Sequence, residues 1–317
     1  MRFTITHHAE QGWNEVRLTD TLRGTIASVI PSAGALLNGF SVERSRVRTN
    51  IIDGFRNAED WRARIEQGFQ SAKLSPFVCR LRDSTYRWMG AELCVEKFSL
   101  NGSAIHGILY DAPFVTVDEK IHPDFAEIEL LHSYKGDIPG YPFAYDCYIR
   151  YRLLADDSLI VTTAIHNRNT TSIPVADGWH PYFTLGAKVD DLTLQFHAKG
   201  QMEYDTALLP TGRILDMNEW ANPRPIGDTQ LDDGFLLDFG YAQPLCTLSN
   251  PTTGMYVAFH PEPSYPYLQL YIPPHRNSIA IENLSAAPDA FNNGMGLITL
   301  EPDHTRTFSV RFAIGIR

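Results

Sequence analysis

The sequence predicts an all-β protein, a large antiparallel β-sandwich with one or two short helices. Several segments alternate apolar and polar residues with a period of two, the pattern of a strand with one buried face. Turn signals separate these segments, at Asn101-Gly102, Asp137-Ile138-Pro139-Gly140, Asn250-Pro251 and Asn293-Gly294. The 20 prolines and 22 glycines are spread along the whole length, which suits many short connections rather than a few long helices.

Taken in order, the chain opens on Met1-Arg2-Phe3-Thr4-Ile5-Thr6-His7-His8, where no apolar run is long enough for a signal peptide. One helix is predicted over Ala58–Gln70. There Trp61, Ile65 and Phe69 fall four apart, Asn57 is placed to cap, and Glu59 and Asp60 occupy the first turn. Its apolar stripe reads as a helix lying across the sandwich. Ile128 and Leu130 alternate with Glu127 and Glu129, and Leu159, Val161, Thr163 and Ile165 repeat the pattern. The stretch Leu215–Leu231 is a polar connection with Pro223, Pro225 and Gly227, of the kind that often lines sites. The C-terminal segment alternates most clearly, Phe308, Val310, Phe312, Ile314 and Ile316 against Ser309, Arg311, Ala313, Gly315 and Arg317. No repeat, low-complexity tract or composition break marks a linker, so residues 1–317 are read as a single domain.

Composition narrows the function classes. Of 317 residues, 44% are hydrophobic and 20% charged, as in a globular protein with a large core. A formal charge of -10 offers no basic face, which argues against nucleic acid and anionic membranes as partners. No window approaches the roughly 20 apolar residues of a membrane-spanning helix. Cys79, Cys94, Cys147 and Cys246 are scattered without a C-x-x-C pair, so reduced thiols and a cytoplasmic location are expected. The Walker, dinucleotide, nucleophile-elbow and H-E-x-x-H motifs are all missing. No two of the 11 histidines share the H-x-H spacing that presents two ligands on one strand face, and His7 and His8 would point to opposite faces. No metal and no cofactor is expected.

The stretch Asp177-Gly178-Trp179-His180-Pro181-Tyr182-Phe183 does not look like strand filler. Proline disfavours the α region for the residue before it, so His180 is expected to be extended. Gly178 allows a close approach, and the aromatic neighbours offer flat walls to a small molecule. In Ser278-Ile279-Ala280-Ile281-Glu282, the carboxylate shares a strand face with two small residues, which leaves room above it. Gln269 and Tyr271 likewise share a face. Arg80 and His106 are polar residues inside apolar runs, and an arginine there should meet an anion or a polar ligand.

Together these segments resemble the aldose 1-epimerase (galactose mutarotase) family. The carrying stretches are Ser75–Arg82, Asn101–Gly107, Gly178–Phe183, Leu231–Phe235 and Gln269–Asn292, in the family's order, with Ile30–Val42 similar to its opening strand pair. The resemblance implies a galactose mutarotase-like β-supersandwich and a cofactor-free isomerase of sugar anomers, a monomer or homodimer with a small sugar as its partner. It implies that His180 is the general acid on the ring oxygen, Glu282 the base on the anomeric hydroxyl and His106 a second active-site histidine. It also implies that Arg80, Asp232 and Gln269 bind sugar hydroxyls. Many members have asparagine where this chain has Cys79, and a second glycine where it has Ile108, so its sugar preference is open.

The residues suit that chemistry. Opening a pyranose needs one group to protonate the ring oxygen while another deprotonates the anomeric hydroxyl, and histidine can both give and take a proton near neutrality. Glu282 ionised and His180 protonated in the productive complex is the expected state, with the two about a sugar ring apart across a cavity the size of one monosaccharide. Three alternatives remain at this point, one of them a metal-dependent isomerase on the same sandwich, its ligands drawn from distant strands, which chelators would inactivate. A hexose-6-phosphate 1-epimerase would need further cations, for which Arg82, Arg87 and Arg224 are candidates. A non-catalytic carbohydrate-binding protein would keep the pocket without needing both His180 and Glu282.

Overall fold

The computed structural model of the protein describes residues 1–10, 13–44 and 46–317. Its backbone is built from antiparallel sheets. The largest runs Val115–His122, Phe125–Tyr134, Tyr145–Leu154, Ser158–Asn167, Thr305–Ile316, Met255–Pro261, Cys246–Ser249, Thr193–Phe196, Arg224–Pro225 in spatial order. The predicted C-terminal alternation is the strand Thr305–Ile316 at its centre. There Phe308, Val310, Phe312 and Ile314 are buried, while Ser309, Arg311, Ala313 and Gly315 face outward.

The second large sheet carries the site. Its order is Pro210–Leu215, Ala198–Tyr204, Asp232–Leu237, Tyr267–Tyr271, Ile279–Leu284, Gly178–His180, Ala72–Leu74, with Tyr182–Phe183 also paired to Ile279–Leu284. One of its faces packs on the nine-stranded sheet through Phe183, Ile279, Ile281, Leu268 and Leu270. The Phe183 ring meets Phe259 at 4.8 Å and Phe312 at 5.7 Å between centroids, so the core lies between the two layers. The other face is the concave one. A five-stranded meander, Phe3–Glu10 to Val47–Asn50, precedes both sheets in the chain.

The predicted helix is Ala58–Gly68. Asn57 caps it by accepting from the Asp60 N–H at 2.9 Å, and Phe69 ends it in a left-handed conformation, φ 53°. A second helix is a single turn, Ala290–Asn293, so Asn293-Gly294 ends a helix rather than joining two strands. Gly294 takes φ 76° as its C-cap. The Leu215–Leu231 connection runs past the far edge of the nine-stranded sheet, where Arg224–Pro225 pairs with Thr193–Leu194. It buries Trp220 against Phe196 and lines no part of the cavity described below except at its border with Asp232. Among the described residues, no helix is long and apolar enough to cross a membrane.

One polar feature of the interior was not foreseen. Lys73 and Asp177, both fully buried, form an ion pair with Nζ–Oδ distances of 2.5 and 2.6 Å. Lys73 also donates to Thr163 Oγ1 and the Gly178 carbonyl, and lies 4.5 Å from the centroid of the Trp179 ring. The Tyr265 hydroxyl donates to Asp177 at 2.6 Å. This network ties the strand Gly178–His180 to its neighbour Ala72–Leu74 from behind.

Candidate active site

Strand register assembles the site. Gly178 pairs with Leu284 and Tyr182 with Ala280, so His180, midway between, stands opposite Glu282 in the same antiparallel register. Glu282 pairs on its other side with Gln269, and Gln269 with Gly234. Two residues on, Tyr182, Ala280, Tyr271 and Asp232 form the next row. Side chains two apart share a face. The period-two reading of Ser278, Ala280 and Glu282 therefore describes the floor of the concave face, with Ile279 and Ile281 turned into the core. Ser278 itself donates to Asp53 at 2.6 Å and belongs to the support of that strand.

His106 arrives from elsewhere, on the turn after Ser103–Ile105. Its backbone is left-handed, φ 61°, and its N–H donates to the Cys79 carbonyl at 2.8 Å. Gly107 follows at φ 74°, where a Cβ would lie 2.3 Å from the Ser75 carbonyl oxygen. Only glycine lets the two segments approach so closely, and the approach aims His106 at His180. The two rings meet edge to face at 4.7 Å, with Phe69 the same distance from His106. A non-glycine residue held in this conformation stores strain of about 1–3 kcal/mol, as functional positions commonly do.

These residues bound a cavity of about 460 Å³, within the range of small-molecule sites. All six side chains singled out in the sequence line it: Arg80, His106, His180, Asp232, Gln269 and Glu282. Tyr182, Tyr204, Tyr271, Phe69 and the helix end Glu66–Gly68 form much of the rest of the walls. The helix is thus part of the site as well as of the scaffold. Tyr204 was not signalled by the sequence; in the register that pairs Gln201 with Phe235 it stands level with Asp232, on the same strand face as Met202, and so reaches the cavity. Its hydroxyl donates to Gln269 Oε1 at 2.9 Å, and Gln269 Nε2 donates to Asp232 Oδ1 at 3.0 Å. Gly234 makes room for this chain, since a Cβ there would stand 2.1 Å from the Tyr204 hydroxyl. Cys79 and Ile108, the departures from the family's pattern, are both buried, and Cys79 touches the cavity.

The chemistry sits at the buried end. His180 Nε2 lies 3.3 Å from Glu282 Oε1, with both side chains almost sealed from bulk solvent. The acid and base are therefore direct neighbours, not a sugar ring apart as the sequence reading supposed. His180 Nδ1, His106 Nδ1 and Glu282 Oε2 have no hydrogen-bond partner among the described residues. Burial disfavours every charged form here. It pushes His180 down to about 4 and His106 well below the ordinary histidine range, the latter helped by the charges of His180 and Arg80. It raises Glu282 well above the usual carboxylate range, with Asp232 adding to the effect. In the sugar-free site the pair thus favours neutral histidine and protonated glutamate, the reverse of the ion pair expected for the productive complex. Arg80 is half-buried, lines the cavity and makes no side-chain hydrogen bond or ion pair within the described residues, as suits a residue waiting for a polar ligand.

Two histidines and a glutamate with ligating atoms within 4.8 Å of one another are also the donor set that could hold a divalent metal.

The model of the aldose 1-epimerase family matches residues 17–313. The chain belongs to that family. Membership makes it an isomerase-type enzyme of sugar chemistry. Its curated relatives include the uncharacterized protein YihR of Escherichia coli K12, 28% identical over 235 residues that cover 72% of this chain and 73% of that protein. YphB of the same organism, also uncharacterized, is 24% identical over 252 residues, 74% of this chain and 80% of its own. Among solved structures, a galactose mutarotase-like protein from Clostridium acetobutylicum superposes with a TM-score of 0.87 at 18% identity, covering 100% of this chain and 99% of that one. Galactose 1-epimerase from Lactobacillus acidophilus gives 0.82 at 18% identity, with the same coverage. At such identity the structural likeness establishes the galactose mutarotase-like fold and nothing finer.

Proposed function

We propose that this protein is an aldose 1-epimerase that interconverts the α and β anomers of a hexose, with His180 as general acid and Glu282 as general base. The observation that carries the reading is the 3.3 Å contact between those two side chains at the closed end of a polar cavity. The ring oxygen and the anomeric hydroxyl of a pyranose are bonded to one carbon, so two proton-transfer groups side by side can serve both at once.

The steps balance without any redox change. His180 gives a proton to the ring oxygen as the C1–O5 bond breaks, and Glu282 takes the proton of the anomeric hydroxyl as the C1 carbonyl forms. Rotation about C1–C2 presents the other carbonyl face, and closure runs the transfers backward. The pair needs one proton between its two members. In the sugar-free site burial favours that proton on Glu282 over His180. Sugar hydroxyls donating to the carboxylate stabilise its ionised form and let the proton move to His180. Gln269, held by Tyr204 and Asp232, and Arg80, without a side-chain partner among the described residues, would grip the remaining hydroxyls, with His106 orienting the same region.

The hexose-phosphate alternative gains no support from its candidate cations. Arg82 is engaged with Asp205 and Asp289, Arg87 with Glu92 and Arg224 with Glu219, and none of the three lines the cavity. Arg80 is the one basic side chain, lysine or arginine, among the lining residues, beside three carboxylates, Glu66, Asp232 and Glu282. A pure binding protein would have no use for a buried acid and base held in contact. The deciding experiment is polarimetry on freshly dissolved α-D-galactose and α-D-glucose, galactose being the sugar in the Lactobacillus relative's name. Acceleration by the native protein and its loss in His180→Asn and Glu282→Gln are expected. A native protein that binds sugar yet leaves the spontaneous rate unchanged would refute the reading.

A further inference from the structure

The same three side chains that would move protons are also arranged to take a metal. We propose that His106, His180 and Glu282 form a weak, reversible site for a divalent transition-metal ion, zinc being the best fit, whose occupancy shuts the enzyme off. The inhibitory part rests on the acid–base reading above; the binding part does not.

Geometry carries the site. Three protein ligands, two histidines and one glutamate, with the fourth position open, is a known zinc arrangement. Tetrahedral ligands at 2.0–2.1 Å from zinc stand about 3.3 Å from one another. His180 Nε2 and Glu282 Oε1 are already 3.3 Å apart. No ligand atom of the set is more than 4.8 Å from another, so His106 has about 1.5 Å to close at most. His106 is carried on a turn rather than within a sheet strand. The open position would face the cavity of about 460 Å³, which also provides the entry path.

The surroundings set the strength. Imidazole ligands of resident metals almost always donate their second ring N–H to a carboxylate or carbonyl, and losing that partner costs about 10–100-fold in affinity. Here Nδ1 of both His106 and His180 lacks a partner within the described residues. The site therefore has a metal's inner ligands without the outer support of a permanent one. Zinc bound there would occupy the lone pairs of His180 and Glu282, and neither could then exchange a proton with a sugar.

The test is calorimetric titration of zinc chloride into the untagged, chelator-washed protein, followed by mutarotation at the same zinc concentrations. One zinc per chain is expected, with affinity reduced at least about tenfold in His106→Ala and in the near-isosteric Glu282→Gln, which guards against misfolding as the cause. A His7→Ala/His8→Ala variant, which removes the exposed histidine pair and its His7–Glu119 contact, should bind as the native protein does. The native mutarotation rate should fall in proportion to occupancy and return on adding EDTA. No stoichiometric binding, binding unchanged by both site variants, or full activity at saturating zinc would each overturn the proposal. Zinc binding needs no sugar, so its failure leaves the acid–base reading intact. Binding in a protein without mutarotase activity would overturn that reading and the inhibition with it.

Discussion

Replacing Lys73 by methionine should expose how the strand of His180 is held. The substitution keeps an unbranched chain one atom shorter but leaves Asp177 without its cation, in a site where both partners are fully buried and 2.5 Å apart. Removing one member of a buried pair commonly costs about 3–5 kcal/mol, because the other is left as an unpaired charge. A second route bounds the figure. Asp177 can escape by taking up a proton, and burial already pushes its pKa upward. Holding that proton at pH 7, against an unfolded value near 3.9, costs about 4 kcal/mol at 1.36 kcal/mol per unit. The two figures agree, and at roughly 2 °C per kcal/mol for a chain of this size they mean a fall in Tm of about 6–10 °C. The sign with pH follows. In the variant the folded pKa of Asp177 lies above the unfolded one, so the folded state holds a proton that the unfolded state has lost. Relative to the native protein, the deficit should be largest near pH 7 and shrink as pH falls toward about 4. Calorimetry or denaturant titration of both proteins at pH 5 and 7, with Lys73→Met/Asp177→Asn as the paired control, measures it. A deficit under about 1 kcal/mol at pH 7, or one that does not change with pH, would refute the reasoning.

Glu282→Gln and His180→Asn should each lower kcat for mutarotation by about 10²–10⁴, the worth of one positioned proton-transfer group, with little change in Tm. Stopped polarimetry reads both. Activity against pH should be bell-shaped, since the pair works with one proton. The acid limb is the second protonation, resisted by His180 whose pKa burial holds near 4, and the alkaline limb is loss of the proton that burial holds on Glu282. A profile flat from pH 4 to 10 with chemistry limiting would remove the pair from the mechanism. Gly234→Ala should raise KM for the sugar more than it lowers kcat, because its Cβ would displace Tyr204 and with it Gln269, which the proposed function assigns to the sugar hydroxyls and not to the reacting carbon. Gly107→Ala should destabilise the fold and lower kcat together, since both the Ser75 clash and the φ of 74° oppose a side chain there.

A good part of this protein was legible in one dimension. Alternation marked the faces of Ile279–Leu284 and Thr305–Ile316 because a strand fixes its side-chain period at two, wherever it lies. Asn57 and the four-residue apolar spacing located the helix because capping and helical period are local. The chemistry of His180, Glu282, His106, Arg80, Asp232 and Gln269 was marked by polar residues in apolar company and by the family resemblance, and all six meet at one cavity. What residue order could not state was distance. That His180 and Glu282 touch follows from a pairing register between segments a hundred residues apart. That Tyr204 joins them follows from the pairing of its strand with Asp232–Leu237, and that Lys73 and Asp177 pair behind them follows from two strands meeting. Their protonation states were decided there too. Histidine and glutamate carry ordinary pKa values in any sequence, and only enclosure by a folded core, which withholds the water that charges require, drives both toward neutrality.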